Sequence, residues 1–136
     1  MATKLQVLVL DDEPIVGKRL RPALGKLGCE IETFTDPTEA FARIEQKEFD
    51  VVVTDILMGE IDGIQVLDHV VRRWPKCKVI MITGYAMMHM ARQAMEKGAF
   101  DFIAKPFNPD DLRTIVARAA EELGVPVDPP APEPTN

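Results

Sequence analysis

The pattern of hydrophobic and polar positions divides the chain into short apolar runs that alternate with longer amphipathic segments. The apolar runs are rich in β-branched residues and show no polar alternation, which is typical of strands buried on both faces of a parallel sheet. In the longer segments, apolar residues recur at helical spacing and leave one polar face. The pattern predicts strands over residues 5–10, 30–34, 49–55, 78–82 and 100–104, and helices over 14–27, 37–46, 63–73, 86–97 and 109–123.

Local signals support most of these helices. Asp36 and Asn108 each stand before a proline, the order expected for an N-cap residue followed by the first helical residue. Gly98 and Gly124 follow the fourth and fifth helices, where a left-handed residue commonly ends a helix. Pro22 conflicts with the first helix because it lacks an N–H donor, so we expect a kink there. Five alternations with short connections predict an α/β fold, a doubly wound parallel sheet with right-handed crossovers.

Composition narrows the classes of function. The chain has 136 residues and a net charge of −6, which argues against direct binding to nucleic acid or to an anionic membrane. No apolar run approaches the roughly 18 residues of a membrane span, and two aspartates interrupt the N-terminal apolar stretch too early for a signal peptide. The two cysteines form no metal-binding motif. We expect a soluble, cytoplasmic protein, with one domain over residues 1–124 and a flexible, proline-rich tail or linker over 125–136.

Polar side chains follow the predicted strands at the edge where parallel sheets bind ligands. Asp11 and Asp12 follow the first strand, Asp55 ends the third, Thr83 follows the fourth and Lys105 the fifth. Two carboxylates about 4 Å apart repel by about 4 kcal/mol at an effective dielectric of about 20, so these acids are expected to hold a proton or a cation. Oxygen ligands with room for water suit Mg²⁺ or Mn²⁺ better than zinc.

This set of groups suits phosphoryl transfer. Asp55 is the candidate nucleophile, which would form an aspartyl-phosphate, and Asp11 and Asp12 would hold the metal. Lys105 and Thr83 would each contact a phosphoryl oxygen. Each residue alone also has a purely structural explanation, since an aspartate after a strand is commonly a turn residue or a cap. The five residues together favour a functional site.

Four segments resemble the receiver domain of two-component response regulators. They are residues 7–13 (VLVLDDE), 55–58 (DILM) with 62–63 (DG), 82–86 (ITGYA) and 98–107 (GAFDFIAKPF). The resemblance covers about residues 5–123, and residues 82–107 most resemble the receivers of sigma-54-dependent activators. It implies a flavodoxin-like (CheY-like) sheet of five strands in the order 2-1-3-4-5 with five helices.

The resemblance also implies roles for individual residues. Asp55 would accept phosphate from a sensor histidine kinase or a histidine phosphotransfer protein. Magnesium would be held by Asp12, Asp55 and the backbone carbonyl of Leu57, with Asp11 nearby through water. Lys105 would bind the phosphoryl group.

A switch and an output face are implied as well. Thr83 and Phe102 would form the switch pair, in which the hydroxyl moves toward the phosphoryl group and the ring turns inward. The Lys105–Pro106 bond would be cis. A downstream protein, or a second copy of the chain, would bind the face formed by the fourth helix, fifth strand and fifth helix.

Two departures from the family pattern affect the site. Gly59 stands where the family usually has proline, which loosens the loop that presents Asp55 and the Leu57 carbonyl. Leu57 and Tyr85, two residues after Asp55 and Thr83, are bulky and would hinder an attacking water. We therefore hypothesise slow self-dephosphorylation.

Methionines at the start of the fourth helix suggest where a partner binds. An exposed and adaptable methionine patch beside Phe102 would suit a protein partner, whereas a place in the core is the alternative explanation. We expect the core-facing positions of this helix to be Ala91, Ala94 and Met95. The predicted partner face consists of Met87, Met88, Met90 and Phe102.

Three functions remain open at this stage. The preferred one is a phosphorylation-switched receiver, a signalling domain and not an enzyme, either stand-alone or cut from a larger transcription regulator. A magnesium-dependent hydrolase is disfavoured because Leu57 occupies the place where such enzymes typically carry a second acid. A binding module without phosphotransfer is the other alternative.

Overall fold

Five parallel strands form the sheet in the computed structural model, which describes residues 4–59 and 61–128. The spatial order is β2-β1-β3-β4-β5, so the predicted fold class and strand order are confirmed. The strands are β1 (Gln6–Leu10), β2 (Glu30–Phe34), β3 (Val51–Asp55), β4 (Lys78–Thr83) and β5 (Asp101–Ala104).

A helix follows each strand, and three of the five helices begin at a side-chain cap. The Asp36 carboxylate accepts a hydrogen bond from the backbone N–H of Thr38, and the Asn108 side chain accepts one from Asp110. Gly124 ends the last helix in the left-handed conformation, with φ 73°. The helices are α1 (Pro14–Gly25), α2 (Pro37–Gln46), α3 (Gly63–Arg73), α4 (Met88–Glu96) and α5 (Pro109–Leu123).

The sheet separates two hydrophobic layers. Along β3, Val51 and Val53 face the layer covered by α1 and α5, whereas Val52 faces the layer covered by α2, α3 and α4. All residues of β3 are buried. This explains the continuous apolar run in the sequence, because both faces of a central parallel strand are covered by helices.

Two helices differ in detail from the sequence-based expectation. The first helix ends at Gly25 and not at residue 27, and it continues three residues beyond Pro22. In α3, the helical spacing of Ile64, Leu67 and Val71 predicts that these residues face inward. Leu67 is buried together with Val66 and Val70, whereas Val71 is 38% exposed. Successive helical residues point about 100° apart, so a shift of one position turns a side chain from core to surface.

The fourth helix also departs from its prediction. A 3₁₀ turn over Tyr85–Met87 precedes α4, so the α-helix is shorter than expected at its start. Ala91 and Ala94 are fully buried, as expected, but Met95 is 39% exposed and the expectation that it faces the core is wrong. Ala91 and Ala94 are thus the buried residues of this short helix.

The chain remains in contact with the domain beyond α5. Val125 and Val127 pack against the α1–α5 layer, and the N–H of Asp128 donates to the carbonyl of Leu27 at 2.9 Å. Residues 129–136, most of the segment predicted to be a tail, lie outside the described residues. Within residues 4–59 and 61–128, no helix is long and apolar enough to cross a membrane.

Gly63 allows α3 to begin directly against the end of β3. A Cβ at this position would lie 2.5 Å from the carbonyl oxygen of Asp55 and 2.8 Å from the Cα of Ile56. The N–H of Gly63 donates to the carbonyl of Ile56 at 2.7 Å. Only glycine permits this approach without moving the strand end that carries Asp55.

We predict that Gly63→Ala lowers the free energy of unfolding by about 1–3 kcal/mol, because backbone atoms must move to admit the methyl group. Thermal unfolding followed by circular dichroism measures the change. The matched control is Gly25→Ala, at the end of α1, where nothing lies within 4 Å of the added carbon. An unchanged unfolding temperature for Gly63→Ala would contradict the close approach.

Candidate functional site

Three acidic side chains meet at the carboxyl edge of the sheet. Asp11 follows β1 and Asp55 ends β3, and these strands are neighbours. One carboxylate oxygen from each of Asp11, Asp12 and Asp55 lies within 4.8 Å of the others. Asp11 and Asp55 are only 2% and 7% exposed, whereas Asp12 is exposed. The structure therefore brings together the three acids that the sequence placed at one edge.

Lys105 reaches this group from the end of β5. Its Nζ lies 3.0 Å from Oδ2 of Asp11 and 3.2 Å from Oδ2 of Asp55. A third oxygen, Oε1 of Glu13, lies 2.9 Å from the same nitrogen. The ammonium is therefore surrounded by three carboxylates, one of which the sequence analysis did not assign to the site.

Backbone hydrogen bonds hold the two buried aspartates in place. The N–H of Glu13 donates to Oδ1 of Asp11 at 2.9 Å, and the N–H of Leu57 donates to Oδ1 of Asp55 at 3.3 Å. In both residues the second oxygen faces Lys105. Oδ2 of Asp11 is buried and, among the described residues, makes only this ion-pair contact without hydrogen-bond geometry.

The pKa values of the buried acids and of Lys105 reflect a balance between burial and the charges nearby. Burial raises the pKa of Asp11 to about 6, and the charge of Asp55 adds to this, although the hydrogen bond from Glu13 and the ammonium of Lys105 oppose it. Burial also raises the pKa of Asp55, against the opposing charge of Lys105. Burial alone would lower the pKa of Lys105, but its contacts with the carboxylates of Glu13 and Asp11 outweigh this and raise it. One lysine thus does not fully compensate the buried acids.

The site fits a divalent cation. Three convergent carboxylates, two of them buried with raised pKa values, supply hard oxygen ligands and uncompensated negative charge. The buried Oδ2 of Asp11, which lacks a hydrogen-bond donor, would gain a partner from such an ion. Oxygen-only donors favour Mg²⁺ or Mn²⁺ over softer metals.

Thr83 and Phe102 lie on the same face of the sheet. Phe102 is paired with Met81 across β4 and β5, and Thr83 is two residues beyond Met81, so all three point to one side. Thr83 is 1% exposed, and its hydroxyl donates to the carbonyl of Gly84 at 3.0 Å. Phe102 is half-buried and packs against the layer of α2, α3 and α4. The Lys105–Pro106 peptide bond is cis.

The methionines before and within α4 are neither fully exposed nor fully buried. Met87, Met88 and Met90 all have intermediate exposure, and Met90 packs against the same layer as Phe102. Tyr85, in the 3₁₀ turn, is 78% exposed. The surface near Thr83 therefore combines flexible thioethers with one exposed ring.

Sequence reasoning missed the contact of Glu13 with Lys105. Glu13 stands in the acidic motif that carries the resemblance, but no local pattern says that its side chain reaches Lys105. The sequence did contain one signal for this contact, because Glu13 is a third acid directly after the two strand-end aspartates.

Comparison with known proteins agrees with this architecture. The family model of the response regulator receiver domain matches residues 7–117. The chain is 35% identical over 119 residues to the nitrogen assimilation regulatory protein NtrX of Azorhizobium caulinodans, covering 86% of this chain and 26% of that protein. It is 34% identical over 113 residues to the DNA-binding transcriptional regulator NtrC of Salmonella typhimurium, covering 83% of this chain and 24% of that protein. The chain thus spans about a quarter of the length of these relatives.

Solved structures show the same similarity. The receiver domain of NtrX from Brucella abortus superposes with a TM-score of 0.78 at 34% identity, covering 85% of this chain and 98% of that one. A response regulator receiver domain protein from Clostridium thermocellum gives a TM-score of 0.81 at 30% identity, covering 88% and 97%. The similarity to sigma-54-dependent activators, predicted from residues 82–107, is confirmed. The chain belongs to the response regulator receiver domain family and is a receiver domain of phosphorelay signalling.

Proposed function

We propose that Asp55 accepts a phosphoryl group from a sensor histidine kinase or a histidine phosphotransfer protein, in a magnesium-dependent reaction, and that this step switches a partner-binding face. The observation that carries the proposal is the position of the Lys105 ammonium, 3.2 Å from Oδ2 of Asp55, at a sheet edge where Asp11 and Asp12 also converge. A positive charge beside a carboxylate can stabilise the charge of an incoming phosphoryl group.

In this reaction the Asp55 carboxylate attacks phosphorus and the bond between phosphorus and the donor atom breaks. The hydrogen bond from Leu57 fixes the carboxylate, and Lys105 is placed to contact a phosphoryl oxygen. Asp11, Asp12, Asp55 and the backbone carbonyl of Leu57 would hold Mg²⁺, which neutralises charge on the phosphoryl oxygens. Mn²⁺ has the same ligand preference.

We propose that Thr83 and Phe102 transmit the phosphorylation of Asp55 to the partner-binding face. The Thr83 hydroxyl would leave the Gly84 carbonyl for a phosphoryl oxygen, and Phe102, which is half-buried on the same face, would turn inward. The partner face would include Met87, Met88, Met90 and Phe102, and would bind a downstream protein or a second copy through α4, β5 and α5. Thioether side chains adapt readily to a partner surface.

We also propose where the domain acts and what it is attached to. The proline-rich segment over residues 125–136 would lead, beyond the packed Val125 and Val127, into a linker to an effector domain. The free cysteines Cys29 and Cys77 favour a cytoplasmic location. The domain would act as a signalling module and not as an enzyme, without direct contact to nucleic acid or membrane. A binding module that has lost phosphotransfer is not favoured, because the acids and the lysine converge.

We predict that the wild-type domain gains a single phosphate on incubation with acetyl phosphate and Mg²⁺, and that Asp55→Asn gains none, because the amide is a poor nucleophile. Intact mass spectrometry measures the adduct. Asp111→Asn, which changes an exposed aspartate in the first turn of α5, is the matched control and should gain the phosphate as the wild type does. The absence of any adduct on the wild type would favour the binding module.

We predict that Asp11→Asn raises the free energy of unfolding of the metal-free domain by about 1–3 kcal/mol at pH 8. The ordinary pKa of 3.8 is raised to about 6 in the folded state, so the folded state binds more protons between these values and loses stability as pH rises. The destabilisation by the Asp11 carboxylate is complete above pH 6 and is absent below the ordinary pKa of 3.8. Urea unfolding in the presence of a chelator measures the free energy of unfolding, with Asp111→Asn as the control. An equal gain in stability at pH 8 and in acid would contradict burial of the charge as the cause.

We propose that Leu57 and Tyr85 prolong the life of the phosphorylated form. Both are exposed, at 56% and 78%, two residues after Asp55 and Thr83. Leu57→Ala and Tyr85→Ala are each predicted to speed loss of the phosphate by at least about twofold, because water gains access to the phosphorus. Mass spectra taken after removal of the donor give the lifetime. Val71→Ala, which trims an exposed residue of α3, should leave it unchanged; lifetimes equal to wild type in both variants would refute the shielding role.

A further inference from the structure

The Lys105 ammonium lies within ion-pair distance of three carboxylates, and it donates hydrogen bonds to two of them, Glu13 and Asp55. The distances to Asp11, Asp55 and Glu13 are 3.0, 3.2 and 2.9 Å. A lysine ammonium has three N–H groups, and three carboxylate oxygens already lie within 3.2 Å of this nitrogen, so an incoming acceptor competes with them. If Asp55 accepts a phosphoryl group, the phosphoryl oxygen needs one of these donors.

Glu13 is the partner that can leave. Asp11 is held by the backbone of Glu13 and its side chain is 1% exposed, and Asp55 is the acceptor itself. The side chain of Glu13 is 60% exposed, so its carboxylate can return to water at little cost. An open groove of about 390 Å³, lined by Glu13, Arg19 and Lys105 among others, gives it room to move.

Helix capping does not occupy the Glu13 side chain. Glu13 is the N-cap residue of α1, but its carboxylate makes no capping hydrogen bond, and its backbone carbonyl accepts from Val16. The one hydrogen bond of this carboxylate within the described residues goes to Lys105, 92 residues away in the chain. A change of the side chain therefore alters the lysine contact without altering the helix end.

We propose that Glu13 is a positioning residue that holds Lys105 before phosphorylation and competes with the incoming phosphoryl group for it, so that Glu13 slows phosphorylation of Asp55. The inference rests on the proposed function of Asp55. With acetyl phosphate, an Asp55 oxygen forms the new bond to phosphorus and the bond from phosphorus to the acetate oxygen breaks. Acetate leaves with the electron pair as an anion, so no proton is consumed. Lys105 exchanges the Glu13 oxygen for a phosphoryl oxygen during this step.

The test compares initial rates of phosphorylation by acetyl phosphate and Mg²⁺, measured by intact mass, in four proteins. Glu13→Gln keeps the length of the side chain but removes the charge, and Glu13→Asp keeps the charge but shortens the reach toward Lys105. Glu39→Gln, at an exposed position in the first turn of α2, removes the same charge away from the site. We expect Glu13→Gln and Glu13→Asp to be about two- to fivefold faster than wild type, the range that an exposed ion pair contributes. Glu39→Gln should match wild type.

Salt and metal titrations separate this role from a structural one. The rate difference between wild type and Glu13→Gln should shrink in about 0.5 M salt, because the competing contact is exposed and screened. The midpoint of the Mg²⁺ titration should be the same in both proteins. A shifted midpoint would assign the effect to metal binding and overturn the proposal.

The remaining outcomes of the rate comparison each identify a different explanation. A fast Glu13→Gln with Glu13→Asp at the wild-type rate would mean that charge alone acts, without competition for Lys105, and would overturn the proposal. Equal rates in wild type and Glu13→Gln would do the same while leaving phosphorylation of Asp55 intact. If no protein gains phosphate, the proposed function itself fails.

Discussion

The structure of the site depends on one ammonium group placed among three carboxylates. Lys105 is the one cation in contact with Asp11, Asp55 and Glu13 within the part of the chain that the structure describes, and two of these acids are almost fully buried. Buried carboxylates without a partner are costly, and a single lysine compensates them incompletely. The raised pKa values of Asp11 and Asp55 express this deficit of positive charge.

The sheet supplies the framework that tolerates this charge density. Parallel strands end at the same edge, so the order β1-β3-β4-β5 places the groups that follow these strands side by side. Both faces of β3 are covered by hydrophobic layers, which fix the strand end that carries Asp55. Gly63 then lets α3 begin directly against that end. A stable core thus supports a site that by itself reduces stability.

The same framework connects the acidic site with the surface around α4. Thr83 lies at the end of β4, and the 3₁₀ turn over Tyr85–Met87 follows it almost immediately. Phe102 shares a face with Thr83 on the neighbouring strand. The proposed switch therefore acts over a short stretch of chain, because a few residues separate the buried hydroxyl from the half-buried methionines and the exposed tyrosine.

Local chemistry was enough to predict the elements and the strand-end groups. The continuous apolar run before Asp55, the caps at Asp36 and Asn108 and the terminating Gly124 act within a few residues, so their consequences are written in the sequence. The order of the strands followed from the family resemblance and not from periodicity. The carboxylates that meet in space were recognisable because parallel strands present their ends together.

Tertiary structure alone decided which side chains touch and which faces are covered. Val71 and Met95 belong to apolar patterns, yet both are exposed because packing against the sheet selects Val70 and Ala94 beside them. The contact between Glu13 and Lys105 joins residues 92 positions apart, and no local signal encodes it. Sequence periodicity determines which residues can share a face, whereas the distances between remote side chains depend on how the finished layers pack.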